Sequence, residues 1–265
     1  MLEVQFGQSS TPGKLCRSNT DSMGAYIPAT RQDARERGYL FAVADGGGGL
    51  ALGEAASATA VSVLTEEFSR TEPGAMLISL LPRLIETANA AVHERSQELR
   101  GETAATTVVA CALRHDQAVI SHVGDSRCYL VRNGQARQIT QDHTWISEQR
   151  RRGPISDDEI AASEKRNALL RALGPETEVA ADTTALTLLP GDVLVLCTDG
   201  VHHEMSAVTI AEIVSQHKTA PEVARELVMR TVELGGRDNA TAQVIRVRSV
   251  EQVGMYRGNP FRMNE

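Results

Sequence analysis

The sequence predicts an α+β sandwich, with sheets inside and helices outside. Apolar strand-like runs alternate with amphipathic helical stretches. Turn signals between 107 and 140 join successive strands too tightly for parallel pairing. The order is helix pairs between antiparallel hairpins, not a strict strand–helix–strand repeat. At 265 residues, the chain suits one large domain that buries a core without disulfides.

The strand candidates are YLFAVA (39–44), TVVACAL (107–113), AVISHVG (118–124), CYLVR (128–132), VLVLCT (193–198) and TAQVIRV (241–247). Each is rich in β-branched or aromatic residues and is bounded by turn formers. Turns at 114–117 and at Asn133-Gly134, the latter a type I′ signal, make 107–140 an antiparallel meander. Helices are expected over 52–69, 76–98, 206–217 and 221–234, from apolar residues at three- and four-residue spacing. Pro82 predicts a kink or a helix start within the second, and Gly235-Gly236 stops the last. The polar segment 145–172 reads as short helices outside the sheets, and 249–265 as a loose tail.

Composition removes several function classes. Aromatics are 3% and the net charge is −7, which argues against nucleic acid or a membrane surface as partner. No apolar run approaches membrane-spanning length, and the N-terminal MLEVQFGQSS lacks a basic start with an apolar core. Cys16, Cys111, Cys128 and Cys197 show no CxxC spacing and read as reduced thiols. A cytoplasmic location is expected.

Chemistry is signalled by aspartate placement. Asp45, Asp125 and Asp199 each follow an apolar strand, Asp238 precedes one, and Asp21 closes RSNTD. One Asp-Gly after a strand is ordinarily a turn. Repeated, the pattern brings carboxylates to one edge of a sheet core, where they repel and desolvate one another at a cost of several kcal/mol. A bound cation removes that conflict, and an oxygen-only donor set selects a hard metal such as magnesium or manganese.

Seven segments occur together in order: RSNTD (17–21), VADGGGG (43–49), HVGDSRCYLVRNG (122–134), QDHT (141–144), RNALLRALG (166–174), VLCTDGV (195–201) and GGRDNAT (235–241). In these the sequence resembles the metal-dependent serine/threonine protein phosphatases of the 2C type, in their short bacterial form. The resemblance implies a four-layer α-β-β-α sandwich with two central antiparallel sheets. The catalytic domain would span 1–248, with a flap at about 145–172 and a tail at 249–265. It also implies two Mn2+ or Mg2+ ions, with a third, weaker site. Asp45 would bridge both ions, with the Gly46 carbonyl completing one shell. Asp199 and Asp238 would hold the first ion, Asp21 would act through water, and Asp125 would join Asp199 at the third. Arg17 would grip the substrate phosphate, with Lys14 as a fallback and Asn239 in a secondary role. The implied reaction is hydrolysis of phosphoserine and phosphothreonine in proteins by a metal-activated water, reversing a cytoplasmic serine/threonine kinase.

Three departures from the family pattern bear on activity. Arg17 precedes Asp21 by four residues instead of five, Thr20 stands where Glu or Gln is usual, and the glycine loop reads DGGGGLALG. Gly47 and Leu50 cannot serve as a general acid. These features motivate an alternative, a catalytically weak phosphatase-fold module that regulates or binds phosphopeptides; a small-phosphoester hydrolase is a third reading. Among the histidines, His122 reads as a core residue, His143 as a loop anchor, and His202 and His203 as solvent-exposed. Arg150-Arg151-Arg152 reads as a solvated face, with a role toward phosphopeptides as the alternative.

Overall fold

The computed structural model describes residues 1–47, 49–98, 104–156, 159–160, 163, 165, 168–251, 253–256 and 259–262. Gly48, Arg166, Asn167 and parts of the 145–172 segment therefore lie outside the described residues, as does Arg257.

Two antiparallel sheets form the centre. The first contains β1 (Glu3–Thr11), β7 (Arg127–Arg132), β8 (Gln135–Gln138), β10 (Val193–Cys197) and β11 (Ala240–Ser249), in the order β1-β11-β10-β7-β8. The second contains β2 (Asp21–Tyr26), β3 (Tyr39–Gly47), β5 (Val108–Arg114), β6 (Gln117–Val123) and β9 (Asp182–Thr187), in the order β2-β3-β5-β6-β9. A short β4 (Ala105–Thr106) pairs with the end of β3. The β5–β6 and β7–β8 hairpins turn through His115 and through Asn133-Gly134, all with positive φ. At Asn133-Gly134 this is the type I′ geometry the sequence predicts.

Strand alternation explains why the inner strands read as unbroken apolar runs. On β3, Leu40, Ala42 and Ala44 face a core shared with α2 (Leu50–Ser69) and α3 (Leu77–Glu98), whereas Phe41 and Val43 face the other sheet. Between the sheets, Phe41, Val109, Ile120, Leu130, Leu194 and Ile245 are buried together. The first sheet's outer face packs Val195, Val201, Ile210 and Leu227 with α5 (Asp199–Glu204), α6 (Ala207–Gln216) and α7 (Ala220–Leu234). Helix, sheet, sheet and helix thus stack as four layers, each apolar face covered by the next.

The helix ends follow local chemistry. Ser206 caps α6, and Thr219 with Glu222 forms a capping box on α7, which ends at Gly235. Two expectations are corrected. The α3 helix begins at Leu77, so Pro82 does not start it; the proline forgoes the bond to the Ile78 carbonyl, and Leu77, Leu81, Leu84 and Ile85, buried on either side, carry the helix through it. The tail is not uniformly loose: β12 (Val253–Tyr256) pairs with β13 (Asn259–Arg262), a hairpin whose own backbone bonds offset its polar composition.

Candidate active site

The sheet ends gather the aspartates. Asp21 opens β2 and lies opposite Asp45 in the β2–β3 register. Asp125 follows β6, Asp199 follows β10, and Asp238 precedes β11. Asp125, Asp199 and Asp238 line a cavity of about 910 Å³, together with Arg127, Arg150 and His203.

Each carboxylate is held by its surroundings. Asp21 Oδ2 accepts hydrogen bonds from Thr198 Oγ1 (2.9 Å) and Thr241 Oγ1 (2.7 Å). The backbone of Asp45 is tied to the neighbouring strand: its carbonyl accepts from Thr106 Oγ1 (2.8 Å) and the Thr107 amide (2.8 Å). Thr107 Oγ1 in turn bonds Ser126 Oγ at 2.7 Å, beside Asp125. Asp238 Oδ1 accepts from the Asn239 amide at 2.8 Å.

Charge crowding dominates the electrostatics. Burial, then the charges of Asp21, Asp199 and Asp125, push the Asp45 carboxyl well above the usual range. Burial pushes Asp21 up to about 7 against the opposing pull of its two threonine hydroxyls. Burial and the Asp199 charge lift Asp125 to about 7, and burial also raises Asp199. Two buried oxygens, Asp21 Oδ1 and Asp199 Oδ1, have no hydrogen-bond partner. Unpaired buried carboxylate oxygens facing like charges are the condition a hard cation relieves, so the donor set fits magnesium or manganese. Among the described residues, no three side chains of His, Cys, Asp and Glu already form a compact cage. Hard cations take part of their shell from backbone carbonyls and water, so a cage of three side chains is not required. Gly46 offers that carbonyl where β3 approaches α2, and a Cβ on Gly46 would strike the Gly53 carbonyl.

Asn239 is the hinge pin of the N-terminal loop. Its Oδ1 accepts from the Thr20 amide (2.7 Å) and Thr20 Oγ1 (3.0 Å), and its Nδ2 donates to Pro12 O (3.1 Å) and Ser18 O (3.0 Å). Thr20, the unusual residue before Asp21, therefore serves the clamp. Arg17 and Lys14 are exposed on the clamped loop and do not line the cavity.

The histidines divide. His122 is buried and bonds Gln141 O through Nε2 at 2.7 Å. His143 accepts from the Gly124 amide through Nδ1 at 3.2 Å, anchoring the loop before Asp125. The expectation for His202 is corrected: it is only 7% exposed, with Nε2 bonded to Asp125 O at 2.9 Å. Its side chain turns inward because the turn after β10 becomes α5, one face of which is core. His203 is 59% exposed, and its Nδ1 lies 3.5 Å from Asp199 Oδ2. Residue spacing four apart on that helix was the signal for this pairing. On α4 (Trp145–Arg152), Arg151 and Arg152 pair with Glu148, and Arg150 and Arg151 both line the cavity.

Comparison with known proteins identifies the family and the fold. Residues 28–231 match the family description "Protein phosphatase 2C". The serine/threonine phosphatase Stp of Listeria innocua is 32% identical over 248 residues, spanning 91% of this chain and 95% of that protein. The serine/threonine protein phosphatase PstP of Mycobacterium tuberculosis is 34% identical over 249 residues, spanning 93% of this chain and 45% of the longer relative. The crystal structure of that phosphatase superposes with a TM-score of 0.80 at 30% identity, covering 94% of this chain and 100% of the solved chain. A structure of the PstP catalytic domain in complex with 2 manganese ions gives the same TM-score of 0.80 and 30% identity, covering 94% of this chain and 100% of that one. By sequence and by fold, the chain belongs to the protein phosphatase 2C family.

Proposed function

We propose that this chain is a serine/threonine protein phosphatase that hydrolyses phosphoserine and phosphothreonine in a metal-dependent reaction, opposing a serine/threonine kinase inside the cell. The observation that carries the reading is that Asp125, Asp199 and Asp238 line one cavity while Asp21 and Asp45 crowd against Asp199 in charge, with buried carboxylate oxygens at Asp21 and Asp199 left unpartnered. Family membership supports it, as does the manganese found with the PstP catalytic domain.

In this reading Asp45, the Gly46 carbonyl, Asp199 and Asp238 would hold the two ions. When bound, a pair of manganese or magnesium ions supplies Lewis acidity, making water a nucleophile near neutral pH and offsetting phosphoryl charge. Thr198 and Thr241 occupy one oxygen of Asp21, which favours an outer-shell role for it. Asp125 and Asp199 share a third, weaker site. Arg17, with Lys14 behind it, neutralises the phosphoryl oxygens from the loop that Asn239 holds. No thiol is poised to form a cysteinyl phosphate: burial raises Cys111, Cys128 and Cys197, and partial burial with the Asp238 charge raises Cys16.

Domain limits of 1–248, with the 145–172 segment as a flap, belong to the same proposal. Among the described residues no helix is long and apolar enough to cross a membrane. The test is phosphate release from a phosphothreonine peptide with EDTA, magnesium or manganese, beside Asp199→Ala. Metal-dependent release lost in the variant is expected. A folded sample that binds the peptide but releases nothing with either metal would favour the binding-module reading, for which the placement of Arg17 outside the cavity wall is the motive.

A further inference from the structure

We infer that His203 contributes an imidazole nitrogen to the metal centre beside Asp199, so that this chain's site is not an all-oxygen site and prefers manganese to magnesium. The inference rests on the metal-dependent reading above and concerns a residue outside the aspartate set.

Four observations carry it. First, His203 lines the same cavity as Asp125, Asp199 and Asp238. Second, its Nδ1 lies 3.5 Å from Asp199 Oδ2, beyond the 2.7–2.9 Å or so of a charge-assisted hydrogen bond. The pair is adjacent without being closed on itself, so both atoms remain available to a third group. Third, Asp199 Oδ1 is buried without a partner, so this carboxylate has unfilled acceptor capacity. Fourth, the residues that precede the ring on α5 are closely packed. Gly200 sits against the Asn239 carbonyl so closely that a Cβ there would overlap it. His202, pinned to Asp125 O at 2.9 Å, meets the His203 ring edge-on at a centroid distance of 4.9 Å.

The chemistry of the donor decides the metal preference. First-row transition ions accept nitrogen donors, manganese the most weakly of them, whereas magnesium takes oxygen ligands and gives up water reluctantly. A nitrogen in the shell therefore adds affinity for manganese and little for magnesium. His202 cannot substitute, because its Nε2 already bonds the Asp125 carbonyl. The competing view is an ordinary ion pair four residues apart on a helix, of the kind that contributes little when exposed.

The test uses the whole chain loaded with Mn2+ and read by pulsed electron paramagnetic resonance. The expected result is a 14N coupling of a directly bound nitrogen, replaced by a 15N signal after 15N-histidine labelling and lost in His203→Gln. Calorimetric titration should show manganese affinity falling about tenfold or more in that variant, with magnesium affinity changed less than twofold. Manganese binding with no histidine nitrogen coupling overturns this inference and leaves the phosphatase reading intact. Failure of the folded chain to bind manganese at all overturns both.

Discussion

Replacing Gly53 by alanine separates two opposing effects whose magnitudes the structure supplies. Gly53 lies in the first turn of α2, and helix propensity alone predicts that alanine stabilises by about 1 kcal/mol. A Cβ at Gly53, however, would lie 2.6 Å from the Gly46 carbonyl oxygen and 2.8 Å from its carbon, where real Cβ atoms essentially never come within 3.0 Å. The obstacle is backbone, so β3 and α2 must separate by at least about 0.4 Å. Overpacking of this kind costs about 1–3 kcal/mol, which outweighs the propensity gain over most of its range. The net expectation is a loss of up to about 2 kcal/mol, or a melting temperature lower by up to about 8 °C in a protein of this size. Because the displaced group is the carbonyl assigned to the metal, manganese affinity should fall in the same variant. The assays are thermal unfolding with EDTA and calorimetric titration with Mn2+. Gly47→Ala is the control, since a Cβ there meets nothing within 4 Å. A Gly53→Ala protein that melts higher and binds manganese normally would refute the close-approach argument.

Two further outcomes follow from charge burial. Asp192 is 1% exposed and is held by Arg132 through Nε–Oδ1 and Nη2–Oδ2 contacts of 2.7 Å each. Arg132→Met should therefore cost about 3 kcal/mol in urea unfolding by stranding a buried charge, and a change below about 0.5 kcal/mol would contradict this. For the metal-free protein, Asp21 and Asp125 are both raised to about 7 from an unfolded value of about 3.9. The native state then keeps protons that the unfolded chain has released. Their contribution to stability is complete below about pH 4 and lost as pH rises through about 7. Burial lowers His143 to about 4 and His202 to about 3, and these act in the opposite sense, with their contribution complete above about pH 6.5. Between roughly pH 6.5 and 8 the carboxylates decide. The melting temperature of EDTA-treated protein should fall across that interval, and the gain on adding manganese should grow; a flat or rising metal-free profile would contradict the crowding.

The interior strands were legible because both faces of β3, β5, β6, β10 and β11 are covered, so their sequences carry apolar residues at almost every position. The four edges β1, β8, β2 and β9 have a single neighbour each. Gln8, Ser9 and Ser10 of β1, or Thr183 and Thr184 of β9, need only half-covered surroundings and so show no apolar run. Only β8 announced itself, through the Asn133-Gly134 turn. At the site, Asp45, Asp125, Asp199 and Asp238 were visible as carboxylates at strand ends; Asp21 was visible only as the close of RSNTD, because the edge strand β2 that places it opposite Asp45 carries no apolar run. Asn239's clamp on Thr20 was not visible, because its partners, three backbone groups and the Thr20 hydroxyl, lie 219–227 residues away in sequence. His202 and His203 are adjacent, yet the helical turn sends one into the core and the other to the cavity.

Manganese stoichiometry and phosphothreonine-peptide turnover, measured on the same samples of the parent chain and Asp45→Asn, report whether Asp45 holds the ions on which hydrolysis depends. The parent chain should bind at least two manganese ions and turn over. In Asp45→Asn, metal binding and turnover should be lost together while the fold persists. Turnover that survives in Asp45→Asn, or that proceeds in the parent chain with EDTA, would contradict that role.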